Sequence, residues 1–206
     1  MSPVNKRAEK ARQTRARMLR AAAELFVERG YGATPLQEIA DRAGVAVQTI
    51  YFTFRNKRNL LKEVVDTAIA GDDEPVATVD RQWFRDALAA ETAADHLRAH
   101  VAGTRQVLER VAEIVEVLRV AAAVDAEVVE LWPKGEDPRY VVHAEAAKSL
   151  VTKPGARPGL DADEAADILF ALLSPELYLL LVRDRGWAPE RWERWVCGTL
   201  RPQLLG

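Results

Sequence analysis

Cysteine and long apolar runs are scarce in this chain, and each scarcity excludes a class of protein. Cys197 is the single cysteine among 206 residues. One thiol excludes a disulfide framework within the chain and a cysteine-based zinc site, and it fits a reducing cytoplasm. The most apolar stretch, 168–182, contains Pro175 and Glu176 and falls short of the ~20 residues that a membrane helix needs. We therefore expect a cytoplasmic protein that does not span a membrane.

Strand patterns and catalytic constellations are also missing. Apolar residues recur at helical spacing almost throughout, and no nucleophile–base pair, glycine-rich phosphate loop or carboxylate dyad stands out. His96 and His100 have the i, i+4 spacing that can hold a metal, but Leu97 stands where an HExxH motif has glutamate. We expect these two histidines on a surface turn. The sequence thus predicts an all-α protein that is not an enzyme and needs no metal or cofactor.

Charge is divided unevenly along the chain, although the net charge is only −2. Residues 1–70 carry 13 Lys and Arg against 7 Asp and Glu, whereas residues 71–206 carry 16 against 24. A basic head on an acidic body is the distribution expected of a DNA-binding protein with a separate sensing or pairing domain. The alternative interpretation is chance unevenness.

The segment 30–61, GYGATPLQEIADRAGVAVQTIYFTFRNKRNLL, predicts a helix-turn-helix followed by a supporting helix. Thr34 has the character of a helix N-cap, and Gln37 three residues later completes a capping box. Gly44 supplies the sharp turn, because glycine accepts positive φ without steric cost. A second short helix is expected over about 46–54. This geometry places the second helix in a DNA major groove.

The same segment resembles a known family. The pattern G-Y-x-A-T-x-x-x-I-A-x-x-A-G-V-x-x-x-T-I-Y-x-x-F-x-N-K-x-x-L-L is similar to the DNA-binding domain of the tetracycline-repressor-like (TetR) transcriptional regulators. With the preceding helix, ARMLRAAAELFVERG, the resemblance covers roughly the first third of the chain, and LLSPELYLLLVRDRGWAPERWERWV is similar to the C-terminal helices of many actinobacterial-type members. The resemblance implies a two-fold dimer with an N-terminal DNA-binding domain and a C-terminal helical domain for ligand binding and dimerisation.

The resemblance also implies which residues of the head meet DNA. The base-contacting positions of the second helix correspond to Val47, Gln48, Thr49 and Phe52, and the positions that hold phosphate correspond to Tyr51 and Lys57. Thr34 and Gln37 stand at the N-terminus of the first helix, where free N–H groups also favour an anion. The Gln48 amide suits an adenine edge, and Thr49 or Val47 can touch a thymine methyl. The alternative for Tyr51 is that it only packs the helix, as expected of Ile50 and Phe54.

Two further features of the head bear on DNA. Ala46 departs from the serine or threonine usual in the family, so the second helix lacks a side-chain cap, and Thr53 replaces a more usual histidine or tyrosine. A basic arm of Lys6, Arg7, Lys10, Arg12, Arg15 and Arg17 offers a further backbone or minor-groove contact, or is only a solvated face.

The pattern of breaks predicts the domain organisation. We expect residues 1–9 to form a disordered basic tail, 10–71 the helix-turn-helix DNA-binding domain, and 72–206 the ligand-binding and dimerisation domain. Within the second domain we expect a long helical tract over about 92–120, broken once near Gly103.

The closing helices are expected over 161–183 and 189–200. Pro175 removes one hydrogen bond within the first of them. Glu176 beside it is either an anchor at the subunit interface or a carboxylate of the ligand pocket.

Large or polar-tipped side chains of the second domain are candidates to line a cavity for a small, largely apolar effector. The ligand-binding set is Trp83, His100, Thr104, Tyr140, His143, Phe170 and Tyr178, with Phe84, His96 and Trp132 as further candidates. The alternative for each aromatic residue is that it belongs to the plain core.

Dimerisation is predicted through the last two helices, because 168–182 is apolar nearly all round, which a monomer surface does not tolerate. The residues expected at the interface are Leu173, Leu177, Leu180, Trp192, Trp195 and Val196. The resemblance implies that these helices pair with their two-fold copies as a four-helix bundle.

The function predicted from the sequence is that of a homodimeric repressor released from a palindromic double-stranded DNA operator by a small molecule. Two alternatives stay open: a DNA-binding regulator without an effector, and an all-helical enzyme in which the helix-turn-helix has no functional role.

Overall fold

The computed structural model describes residues 3–71, 78–130 and 137–206, and side chains from residue 7 onward. Helices make up most of this part of the chain, which contains no β-strand beyond one isolated bridge between Ala156 and Leu205. The all-α prediction is therefore confirmed. Trp132 and the residues just after the expected domain boundary at 71 lie outside the described residues.

The chain divides into two compact units. One comprises Met1–Ala68 and Glu113–Lys134, and the other comprises Ile69–Ala112 and Gly135–Gly206. The division falls inside two helices rather than only at a linker near residue 71, so a central stretch of the chain groups with the N-terminal unit.

Six helices contribute to the first unit: α1 (Pro3–Arg29), α2 (Leu36–Ala43), α3 (Val47–Phe54), α4 (Lys57–Ala70), the end of α6 (Ala93–Val124) and α7 (Ala126–Val129). Its core is formed by apolar residues at helical spacing, including Met18, Leu25, Phe26, Ile39, Ile50, Phe54, Leu60 and Leu61, each at most 2% exposed. Asn56 caps α4, because the Asn59 N–H donates to Asn56 Oδ1 at 2.8 Å.

The first helix begins earlier than the sequence suggested. The prediction of a disordered tail over 1–9 is wrong for residues 3–9, which belong to α1. Glu9 forms an ion pair with Arg12 and accepts a hydrogen bond from Gln13 Nε2 at 3.0 Å. Side-chain pairs at i, i+3 and i, i+4 favour the helical form of a segment that has no apolar face to bury.

The second unit contains helices, a short 3₁₀ turn and a π-helical turn. These are the turn Thr78–Asp80, the end of α4, the first part of α6, α5 (Gln82–Ala89), α8 (Pro138–Leu150), α9 (Ala162–Leu172), α10 (Pro175–Leu179), a π-helical turn Leu180–Asp184 and α11 (Pro189–Leu204). Within this unit α8 packs most extensively against α9.

The predicted break near Gly103 is wrong, because α6 runs unbroken through it. The Trp83 ring lies directly on Gly103, and a Cβ added there would lie 2.0 Å from Trp83 Cε3. Glycine within a helix costs about 0.5–1 kcal/mol relative to alanine, but here the missing side chain admits the indole. Glycine therefore serves tertiary packing rather than a turn.

The predicted helix over 161–183 is interrupted. Ser174 caps α10, since its Oγ accepts a hydrogen bond from the Leu177 N–H at 3.3 Å, and Pro175 takes the first helical position, where a proline loses no intrahelical bond. By length and composition alone the 23-residue segment Ala162–Asp184 could cross a membrane, which is weak evidence because core helices pass the same test.

Candidate nucleic-acid interface and ligand site

The turn between α2 and α3 has the predicted geometry. Gly44 adopts φ +66°, and its N–H donates to the Asp41 carbonyl at 3.2 Å, while the Val45 N–H donates to the Ala40 carbonyl at 3.0 Å. These bonds end α2 and turn the chain sharply into α3. Ala46 stands at the N-cap of α3 with no side-chain cap bond, as its lack of a hydroxyl predicts.

Helix α3 has one buried face and one face open to solvent. Ile50 is 0% exposed and Phe54 is 2% exposed, whereas Phe52 is 92% exposed and Tyr51 is 53% exposed. Gln48 is also exposed and stands at i, i+4 from Phe52 on the same side of the helix. An aromatic ring held almost wholly in water is unfavourable without a partner. The outward face of α3 is therefore a candidate contact surface.

The remaining predicted DNA residues of α3, Val47 and Thr49, are half-buried at its first turn. The Thr49 carbonyl accepts a hydrogen bond from Thr53 Oγ1 at 2.7 Å. The Thr53 hydroxyl therefore bonds back onto its own helix.

Thr34 does not have the predicted role. Its side chain is 0% exposed, and Oγ1 lies 2.8 Å from the Gly30 carbonyl oxygen and 3.2 Å from that of Leu25. The hydroxyl thus binds the end of α1, and the prediction that it caps α2 or contacts DNA is wrong. Pro35 occupies the N-cap without a side-chain bond.

Gln37 does not close a capping box. Its Nε2 donates to Asp41 Oδ1 at 2.8 Å, one turn further along α2. The side chain is nevertheless exposed at the first turn of the helix. It therefore stays a candidate for a phosphate contact, whereas Thr34 does not.

Lys57 is held by the loop that precedes α2. Its ammonium donates to the Gly32 carbonyl at 3.4 Å and lies 4.4 Å from the centre of the Tyr31 ring. Burial lowers the pKa of Lys57, and the nearby Asp125 carboxylate opposes that shift. Any phosphate contact by this residue would compete with these internal contacts.

Five of the seven predicted ligand residues lie in one aromatic cluster of the second unit. The His100 ring lies 6.1 Å from Trp83, 6.0 Å from Phe84 and 5.3 Å from His143, measured between ring centres. On the other side, Phe170 lies 6.4 Å from His143 and 5.6 Å from Tyr140. We call Trp83, Phe84, His96, His100, Tyr140, His143 and Phe170 the histidine–aromatic cluster.

The expectation that His96 and His100 lie on a surface turn is wrong, because both are 0% exposed. Their i, i+4 spacing on α6 faces the protein interior, where the two rings are 6.3 Å apart. Among the described residues no group of three or more His, Cys, Asp or Glu side chains is placed to hold a metal ion.

The cluster contains buried imidazole nitrogens without hydrogen-bond partners among the described residues: both ring nitrogens of His96 and Nδ1 of His100. Burial lowers the pKa of His96 to about 4, and the Lys153 ammonium lowers it as well. Burial and Arg139 lower the pKa of His143 to about 4 against the opposing Asp137, and burial places the pKa of His100 well below its ordinary value. All three rings are therefore neutral at pH 7.

The two other predicted ligand residues, Thr104 and Tyr178, are not among the residues of the histidine–aromatic cluster. Thr104 is buried one turn after His100 on α6. The Tyr178 ring contacts Trp192 of α11, with ring centres 5.1 Å apart, so its described ring contact lies outside the cluster. Sequence spacing alone does not distinguish these two aromatic groups.

Glu176, for which two roles were expected, forms an ion pair within its own chain. Its carboxylate lies 3.7 Å from the Arg139 guanidinium, which also lies 5.0 Å from the centre of the Phe170 ring. Glu176 therefore has a partner within its own chain, and it supports an arginine that covers the cluster. No local pattern indicates this role of Arg139, because the contact joins residues distant along the chain.

The predicted dimer residues separate into two groups. Leu173, Trp192 and Val196 are at most 2% exposed within the single chain, so the prediction that they form the interface is wrong for them. Leu180 is 53% exposed and Trp195 is 38% exposed. Leu177 is half-buried.

The sequence is similar to known regulators in its N-terminal part. Residues 18–64 match the family model described as bacterial regulatory proteins, tetR family. The HTH-type transcriptional activator FasR of Mycolicibacterium smegmatis is 35% identical over 101 residues, which are 47% of this chain and 46% of that protein. The matched part thus spans less than half of this curated relative.

The fold is similar to solved structures over nearly the whole chain. A TetR-family transcriptional regulator from Mesorhizobium loti has a TM-score of 0.65 at 20% identity, covering 95% of this chain and 98% of that one. A transcriptional regulator from Saccharomonospora viridis, solved in complex with choline, has a TM-score of 0.68 at 19% identity, covering 93% and 97%. Over the matched N-terminal part, the family model and FasR agree with the prediction of a transcriptional regulator, and the two solved structures, at 19–20% identity, show the fold alone.

Proposed function

We propose that this chain, of which residues 18–64 match the family model of bacterial regulatory proteins, tetR family, is a homodimeric repressor that a small molecule releases from its DNA operator. The observation that carries the DNA-binding part is the outward face of α3, where Phe52 is 92% exposed beside Tyr51 and Gln48. Below that face the helix is fixed by the fully buried Ile50.

The chemistry of the α3 face suits base recognition in a major groove. The Gln48 amide can donate to and accept from an adenine edge, and the Phe52 ring or the Val47 methyls can contact a thymine methyl. Tyr51 can donate its phenolic proton to a phosphate oxygen. A dimer would place two such helices about 34–36 Å apart, in successive major grooves of a pseudo-palindrome.

The second copy is proposed to bind the exposed apolar side chains near the C-terminus. Leu180 and Trp195 present apolar surface that Leu177 extends, and Trp187 lies 5.9 Å from Trp195 between ring centres. Two-fold pairing makes one such surface complementary to itself.

The effector is proposed to bind at the histidine–aromatic cluster. Neutral imidazoles surrounded by Trp83, Phe84 and Phe170 suit a largely apolar molecule that carries a hydrogen-bonding group. Each unpartnered buried nitrogen costs about 1–3 kcal/mol, which a hydrogen bond from a ligand would offset. The choline complex of the Saccharomonospora viridis regulator supports small-molecule binding in this fold.

Selection from a pool of random duplexes tests the DNA-binding part. We expect the wild-type chain to enrich an inverted repeat, and Gln48→Ala to change the preferred bases within it. Tyr51→Ala should weaken binding to all sequences alike. If Gln48→Ala also loses affinity equally for every sequence, the base-reading face is misplaced, and if the wild type enriches nothing, the proposal fails.

A thermal-shift screen followed by operator titration tests release. A tenfold preference of the effector for the released form contributes about 1.4 kcal/mol, so full release needs a larger preference or two bound molecules per dimer. A compound that binds the protein tightly yet leaves its operator affinity unchanged is not an inducer. Failure of every compound would favour a regulator without an effector.

Transcription from a reporter placed behind the selected operator decides the direction of regulation. A repressor lowers reporter output when the chain is expressed. The relative FasR is named as an activator, so increased output is the specific alternative that this measurement would support.

A further inference from the structure

A basic groove lies between α1 and α3 in the first unit. It has a volume of about 510 Å³, and four of the residues that line it from α1 are cationic. They face two threonines on the third helix: Arg7, Lys10, Arg12 and Arg15 opposite Thr49 and Thr53. We call this the arm groove.

Two of the four cations already have partners. Arg12 pairs with Glu9, and Arg15 pairs with Glu63 while its guanidinium lies 5.0 Å from the centre of the Phe54 ring. The charges of Arg12 and Arg15 are therefore already paired with carboxylates.

The other two cations, Arg7 and Lys10, are exposed. Among the side chains that the structure describes from residue 7 onward, neither has a carboxylate within ion-pair distance. They stand one turn apart on α1, at i, i+3. Two positive charges that pair with no described carboxylate, on one helical turn, make this wall attractive to an extended anion.

The position of the arm groove identifies that anion. Thr49 and Thr53 lie on the same helix as Gln48 and Phe52, so the groove is beside the proposed base-reading face. When a recognition helix lies in a major groove, the sugar-phosphate backbone passes along its flank. Arginine and lysine side chains facing that flank neutralise phosphates.

We propose that the arm groove binds the sugar-phosphate backbone of duplex DNA, with Arg7 and Lys10 each neutralising one phosphate. This inference rests on the proposed function, in which α3 enters the major groove. It adds a contact outside the helix-turn-helix, supplied by the helical arm that precedes it. The contact is independent of base sequence, so it sets affinity and salt dependence rather than specificity.

The test compares double variants of the full-length chain by their salt dependence of operator binding. Arg7→Gln/Lys10→Gln removes both charges with a residue that is a good helix former. Each phosphate contact contributes about 0.9 to the slope of log K against log salt, so we expect a loss of about 1.8 for each bound subunit. The preferred bases should stay unchanged.

Two controls separate charge from folding. Arg98→Gln/Lys148→Gln removes two exposed cations from the second unit and should leave the slope unchanged. Arg7→Lys/Lys10→Arg keeps both charges and should keep the wild-type slope.

The outcomes distinguish failure of the arm-groove proposal from failure of the proposed function. A wild-type slope in Arg7→Gln/Lys10→Gln, with normal operator selection, would overturn the arm groove alone. A wild-type chain that binds no duplex would overturn the proposed function and the groove with it. A slope reduced equally by Arg98→Gln/Lys148→Gln would show a general charge effect and also overturn the groove.

Discussion

His100 Nε2 lies 3.1 Å from His143 Nδ1, so one ring donates the proton that the other accepts. The pair is compatible only with at least one neutral ring, because two imidazolium rings would place two donors face to face. Arg139 and Lys153 lie near the cluster as further positive charges, and Asp137 is the opposing carboxylate. The cluster therefore favours neutral histidines.

We predict that this protein loses stability on acidification below about pH 6.5. Unfolded histidines bind protons below their ordinary pKa of 6.5, whereas folded His96 and His143 stay neutral until about pH 4. The unfolded state binds more protons in that window, so the free energy of unfolding falls as pH falls, by roughly 3 kcal/mol for each such residue over the full window. Urea unfolding at pH 7.5, 6 and 5 measures this. A constant midpoint would contradict it.

His96→Leu is predicted to be neutral or stabilising at pH 7.5. Neither ring nitrogen of His96 has a described partner, so the leucine removes an unsatisfied polar group and keeps apolar volume. The slope of stability against pH should also become smaller than in the wild type. A loss of about 2 kcal/mol or more would instead reveal a hydrogen-bond partner, such as a buried water or a bound ligand.

Gly103→Ala is predicted to destabilise the protein by about 1–3 kcal/mol, because the new methyl would overlap the Trp83 ring. Gly198→Ala is the matched control: it is an exposed helical glycine with no heavy atom near its Cβ position, so alanine should stabilise by up to about 1 kcal/mol. Thermal melts of both variants measure these changes in stability. Similar effects of the two substitutions would mean that Trp83 does not occupy this place.

Leu180→Asp is predicted to produce monomers that bind the operator weakly, because it places a charge in the proposed subunit interface. Val129→Asp is the control, since Val129 is equally exposed, at 55% against 53%, but lies outside the proposed surface. Light scattering gives the mass of each. A dimer in both variants would place the interface elsewhere.

Local signals in the sequence were enough to predict the elements of the DNA-binding head. Gly44 at positive φ acts within one turn of the chain, so the turn between α2 and α3 was predicted, and α3 was predicted to within one residue. Burial of Ile50 and Phe54 followed from helical spacing for the same reason.

Features decided by contacts distant in sequence were predicted wrongly. Thr34 has the composition of a cap, but its hydroxyl finds the Leu25 carbonyl at the end of α1. His96 and His100 looked like surface residues because no local pattern indicates what α6 packs against. Trp192 and Val196 form an apolar face as predicted, but their own chain covers it.

The contact between Trp83 and Gly103 also has an evolutionary consequence. A larger residue at position 103 is compatible with this fold only if position 83 has already lost its indole, and an indole can arise at 83 only over a glycine. Either change alone would pass through a less stable intermediate. The two positions should therefore covary among descendants of this sequence, with tryptophan at one restricted to glycine at the other.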